Sequence, residues 1–201
     1  MKNISISTGK MVRLAVLVAV LLVMAYTPLG YLKVGAVEIS FMMIPVVIGT
    51  VIIGPGAGAF LGGVFGITSF IQCFGASPFG AALLGINPWF TFITCMIPRI
   101  LAGWLPGLLF KALGRTKLPK WVPITAACLS GALLNTIFFV AFLFLLFGGT
   151  DFVRSFGENV WAITVLLVGV NGLVEAAVSS IAGAAVSGAL LYFLPEREKR
   201  S

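Results

Sequence analysis

The 201-residue chain contains no histidine and one aspartate, Asp151. Without histidine there is no Ser–His dyad, no histidine-based phosphatase chemistry and no HExxH metal site. A lone aspartate leaves no acidic cluster for a metal ion. The pattern G-x-x-x-x-G-K-[ST] is missing as well, so the chain does not hydrolyse ATP through a P-loop. Cysteine is scarce: Cys73, Cys95 and Cys128 each sit in an apolar stretch and read as small core residues, not ligands or disulfides. Neither a metal nor an organic cofactor is expected. Charge is scarce too, at 9% of residues, against about 25% in an average soluble domain.

What the chain has instead is apolar surface. Hydrophobic residues make up 60% of it and the mean hydropathy is +1.13, too apolar for a packed globule of this size to stay in water. A membrane-spanning helix needs roughly 20 apolar residues at about 1.5 Å each. A β-barrel would show short alternating segments, whereas runs such as Ile137 to Phe147 are continuous. The expectation is an all-α integral membrane protein: one domain over residues 1–201, with six transmembrane helices in a single bundle. The spans read as 11–29, 39–53, 57–74, 87–113, 122–147 and 160–194. Gly54-Pro55-Gly56 separates the second from the third, and residues 75–86 read as a loop. Asn87-Pro88 carries the signature of a helix start, a capping side chain followed by proline at the first helical position. The first apolar run is as long as a span and lacks a small-residue cleavage site, so it is not read as a cleavable signal.

The position of the charges explains the formal net charge of +7. With the N-terminus inside, ten of the thirteen basic residues fall on the cytoplasmic side: Lys2, Lys10, Arg13, Lys111, Arg115, Lys117, Lys120, Arg197, Lys199 and Arg200. This is the positive-inside pattern, and it places both termini in the cytoplasm. The excess charge therefore orients the chain and attracts anionic lipid headgroups; it points to no nucleic acid.

Small residues recur with helical spacing. Gly54, Gly58, Gly62 and Gly66 form a smooth stripe that admits a close backbone, either inside one bundle or from a partner. Ala15 and Ala19 form an A-x-x-x-A pair on the first span. Ionisable residues inside spans cost at least about 2.5–3.5 kcal/mol at mid-helix and default to functional candidates. There are two, Arg99 and Glu175. Asn135, Asn171 (one turn before Glu175), Gln72 and Asn87 join them as candidate ligand-binding groups. Together they suggest a pocket for a small polar molecule, with Arg99 either binding an anion or pairing with Glu175. Pro98 and Pro106 distort the fourth span and free carbonyls that can line a cavity. Trp89, Phe90, Trp104 and Trp161 fit an interfacial or core role better than a site wall.

Taken together, residues 11–194 resemble a substrate-binding (S) subunit of the energy-coupling factor (ECF) vitamin transporters. The motifs that carry this are Arg13-Leu14-Ala15 through Ala19, Thr27-Pro28-Leu29-Gly30 with Val34-Gly35, and Gly54-Pro55-Gly56-Ala57-Gly58-Ala59-Phe60-Leu61-Gly62. They continue with Phe65-Gly66-Ile67-Thr68-Ser69-Phe70, Asn87-Pro88 and Pro98-Arg99-Ile100-Leu101-Ala102-Gly103. The order of motifs is most similar to the pantothenate-type subunits. The resemblance implies a non-catalytic subunit in a bacterial cell membrane that captures a small vitamin from outside. It also implies a membrane scaffold subunit, contacted through Ala15 and Ala19, and two cytoplasmic ATPases that supply the energy. The competing reading is a self-sufficient, oligomeric secondary transporter or channel, against which stands the lack of an inverted repeat between the halves. A membrane enzyme is disfavoured by the missing histidine and the single intramembrane acid.

Overall fold

A computed structural model describes residues 8–27, 30–34, 37–119, 121–154 and 160–193, with side chains described outside 31–39, 160–171, 173–174 and 193. The basic residues Lys2, Lys120, Arg197, Lys199 and Arg200 lie outside the described residues. Among the described residues, eight helices and a two-stranded hairpin follow in order: α1 (Thr8–Ala25), β1 (Tyr31–Val34), β2 (Val37–Ser40), α2 (Met43–Ile52), α3 (Pro55–Gln72), α4 (Pro78–Ile86), α5 (Pro88–Leu113), α6 (Trp121–Phe147), α7 (Asp151–Arg154) and α8 (Val160–Phe193).

Among the described residues, four helical stretches are long and apolar enough to cross a membrane: α1, α5, α6 and Glu175–Tyr192 of α8. The chain is thus a multi-pass helical membrane protein. At 10 residues, α2 reaches only about 15 Å. It is apolar on every side and buried along nearly its whole length, which suits the middle of a bundle. Gly54 then turns the chain with φ +131°, a conformation only glycine adopts freely, and Pro55 opens α3 with its N–H-free first position.

The glycine stripe faces inward, against α5. A Cβ at Gly58 would strike the carbonyl oxygen of Gly103, and one at Gly62 the carbonyl oxygen of Arg99. At Gly66 it would sit 2.9 Å from the carbonyl oxygen of Cys95. Three glycines four apart on α3 thus meet three residues four apart on an antiparallel α5, and no other side chain allows that approach. Gly54 does not belong to this stripe: open space surrounds it, and its role is the turn. Thr50 secures the junction, its Oγ1 lying 2.9 Å from both the Val46 and the Gly103 carbonyl oxygens.

Two expectations need correction. The second span was expected to begin at 39, with no strands assigned to residues 31–40. These residues form an antiparallel hairpin with Tyr31 opposite Ser40 and Val34 opposite Val37, continued by a 2.9 Å bond from Phe41 N to Gly30 O. β-branched and aromatic residues in that stretch favour strands. Residues 75–86 hold the helix α4, not a plain loop. Ser77 caps it by accepting from Gly80 N at 3.3 Å, and Pro78 takes the first helical position.

The core has two parts. The larger is built on α1, α2, α3, α5 and α6 around Leu21, Met43, Val47, Leu61 and Phe65. The smaller joins α4, the end of α6 and α7 through Leu83, Leu143, Phe147 and Val153, with Phe79, Phe139 and Phe152 packed against it. Phe90 at the start of α5 meets Phe147 edge-on at 6.0 Å, so α4 and α7 lie at the same end of the bundle as the N-terminus of α5. α1 joins the larger part along one side only. Leu21 and Ala25 are its buried residues, while Val12, Val16, Val20 and Val23 are exposed.

Candidate functional site

Between the two core parts lies a group of buried polar side chains. Arg99 of α5 is only 8% exposed, yet no ion pair joins it to Glu175 among the described residues. Its guanidinium carbon stands 4.7 Å from the centre of the Phe139 ring and 5.5 Å from that of Phe65. Two aromatic rings therefore supply the cation–π attraction that partly offsets burial of the charge. Arg99 Nη1 donates a 2.7 Å hydrogen bond to the backbone carbonyl of Thr94. That acceptor is free for a local reason. In a regular helix the N–H of residue 98 would bond to the carbonyl of residue 94, but residue 98 is proline and has no N–H. Arg99 Nε remains buried without a partner.

Across from α5, Asn135 of α6 donates from Nδ2 to Oε1 of Glu175 on α8 at 3.4 Å, and its own Oδ1 is buried and unpartnered. One turn beyond Glu175, Ser179 is also buried with an unpartnered hydroxyl. A buried donor or acceptor left unpaired costs about 1–3 kcal/mol. The site thus presents an unmatched donor on Arg99 and unmatched acceptor capacity on Asn135, within apolar walls. A small molecule with an anionic acceptor at one end and donors elsewhere satisfies both.

Of the residues singled out in the sequence, Arg99 takes its hydrogen bond within α5, and Asn135 bonds directly to Glu175. Gln72 and Asn87 are engaged elsewhere. Gln72 Nε2 donates to the Ala25 carbonyl at the end of α1, 2.7 Å away. Asn87 caps α5, its Oδ1 accepting from Trp89 N at 3.0 Å and Phe90 N at 3.2 Å. The side chain of Asn171, like that of Trp161, lies outside the described residues. Trp89 and Trp104 are exposed on the surface. The sequence reading missed Phe65, Phe139 and Thr94. Two local signals point to them: Phe139 is one turn beyond Asn135, and Thr94 precedes Pro98 by four residues.

Two further placements matter. Ala15 and Ala19 lie on the exposed side of α1, and Ala19 borders an apolar groove of about 660 Å³ lined also by Val16, Val20, Val23, Phe41 and Ile44. Cys73 and Cys95, far apart in the chain, come together with 3.9 Å between their sulfurs, both as free buried thiols.

The bundle and its inward arginine describe a helical membrane protein with buried polar side chains gathered between α5, α6 and α8. Residues 9–187 match the family described as ECF transporter, substrate-specific component, and the chain belongs to that family. It is a transport subunit. Among curated proteins it is 33% identical over 168 residues to the pantothenic acid transporter PanT of Lactococcus lactis subsp. cremoris, covering 77% of this chain and 78% of that protein. It is 28% identical over 172 residues to the pantothenate transporter PanT of Leuconostoc mesenteroides, covering 84% and 82%.

Proposed function

We propose that this protein captures pantothenate at the outer side of a bacterial plasma membrane and passes it inward by association with a scaffold subunit and two cytoplasmic ATPases. The observation that carries the substrate is Arg99: a buried guanidinium with an unpartnered N–H, beside the rings of Phe65 and Phe139 and without a direct ion pair to Glu175 among the described residues. Pantothenate carries a carboxylate, an amide, two hydroxyls and a geminal dimethyl group. Its carboxylate matches the donors of Arg99, its hydroxyls and amide match Asn135 and Glu175, and its dimethyl carbon suits apolar walls. Names of similar proteins support the same choice.

Energy comes from the partners, since the chain has no nucleotide-binding loop of its own. The groove beside Ala19 is the surface assigned to the scaffold, because small side chains on an outward helix face permit close approach by another helix. The proposed topology has six spans with both termini cytoplasmic, an arrangement that puts Lys10, Arg13, Lys111, Arg115 and Lys117 on the cytoplasmic side. The test is calorimetric titration of the purified chain, without ATP, with pantothenate and a panel of other vitamins. Sub-micromolar affinity for pantothenate alone is expected. Equally weak binding of all of them overturns the substrate assignment.

A further inference from the structure

The carbonyl that accepts from Arg99 lacks its usual helical donor because the residue before Arg99 is a proline. The Thr94 hydroxyl donates to the Phe90 carbonyl at 2.8 Å, and it is the carbonyl of Thr94 that meets the guanidinium. The Thr94 carbonyl, relieved of its helical donor, accepts Arg99 Nη1 at 2.7 Å. With one corner held there and Phe65 and Phe139 at 5.5 and 4.7 Å from its carbon, the guanidinium is set in one plane and offers its remaining N–H edge. A flexible arginine loses side-chain entropy when it binds an anion; one already clamped has lost it beforehand.

We propose that Pro98 is a positioning residue for anion capture: by withholding a backbone N–H it creates the acceptor that orients Arg99 toward the carboxylate of the ligand. This rests on the reading of Arg99 as the carboxylate-binding group. The role belongs to the proline's missing hydrogen, not to its ring, so any residue with an N–H at this position introduces a second donor to the Thr94 carbonyl.

The experiment uses the full-length purified chain, the variants Pro98→Ala and Pro98→Val, and two probes. One is pantothenate; the other is its alcohol analogue, in which CH2OH replaces the carboxylate. Both variants are expected to bind pantothenate about tenfold more weakly, as loss of a good part of one charge-assisted hydrogen bond predicts. Affinity for the alcohol analogue is expected to stay within about twofold, since no ionic contact is involved. In an Arg99→Ala background, Pro98→Ala is expected to change pantothenate affinity less than about twofold, because a residue acting through Arg99 has nothing left to act on. Unchanged pantothenate affinity in both variants, or an equal loss for both probes, overturns the positioning role. Wild-type protein that binds both probes alike instead overturns the reading of Arg99 itself.

Discussion

Gly62→Ala adds one methyl group where two helix backbones touch. The added Cβ would collide with the Arg99 carbonyl oxygen and would lie 2.8 Å from its carbonyl carbon and 3.2 Å from Ile100 Cα. All three neighbours are backbone atoms in the interior of α5, so no side chain can swing aside. α3 and α5 have to separate instead, and overpacking of this kind costs about 1–3 kcal/mol. Alanine's better helix propensity returns about 1 kcal/mol at most. Gly56 provides the control. It lies in the first turn of the same helix with open space around its Cβ position. There the same substitution has only the propensity gain and is expected to be neutral or slightly stabilising. Thermal unfolding in one detergent, followed by the same probe for both variants, should show Gly62→Ala melting several degrees below wild type and Gly56→Ala at or above it. Pantothenate binding should weaken in Gly62→Ala, because the displaced atoms are the backbone of Arg99. Equal melting of the two variants would refute the account of the stripe as an internal α3–α5 contact.

Two further outcomes test the site and the partner surface. Arg99→Ala should reduce pantothenate affinity by about 30-fold or more, the usual consequence of removing a buried, hydrogen-bonded charge; calorimetry showing a change within twofold would make Arg99 structural. Ala15→Trp and Ala19→Trp should leave pantothenate binding intact, since both lie on the exposed face of α1, yet abolish co-purification with a scaffold subunit. Undiminished co-purification would remove α1 from the assembly surface.

Much of this molecule is legible in one dimension, and the reasons are local. The start of α5 at Pro88 was readable because a cap depends on neighbours two and three residues away, and Asn87 supplies it. The turn at Gly54-Pro55 was readable for the same reason. α4 went unread although Ser77-Pro78 is a start signal, because a nine-residue helix rich in glycine and alanine has no strong apolar period to announce it. The hairpin at Tyr31–Ser40 is hard to see in the sequence because two four-residue strands beside a long apolar segment carry too short an alternation to stand apart from it.

The site shows the same division. Hydropathy alone picked out Arg99 and Glu175, since an ionisable residue stands out against an apolar background wherever its helix lies. The choice between an Arg99–Glu175 ion pair and an anion-binding arginine was beyond its reach. That choice depends on how α5, α6 and α8 are rotated about their axes, and one residue along a helix turns a side chain by about 100°. In the folded bundle Arg99 turns to the Thr94 carbonyl and two aromatic rings, while Glu175 takes its hydrogen bond from Asn135.

The sequence by itself determined the solvent this protein lives in, the charge pattern that orients it, and the few polar groups it carries into the membrane. These follow from composition and spacing, which act through the bilayer on each segment separately. The tertiary structure decided which faces meet: that Gly58, Gly62 and Gly66 seat α3 on α5 while Gly54 makes a turn, and that the buried arginine and the buried glutamate take separate hydrogen-bond partners. The physical reason is that packing between helices is set by contacts across the bundle, and no single helix encodes the rotation of its neighbour.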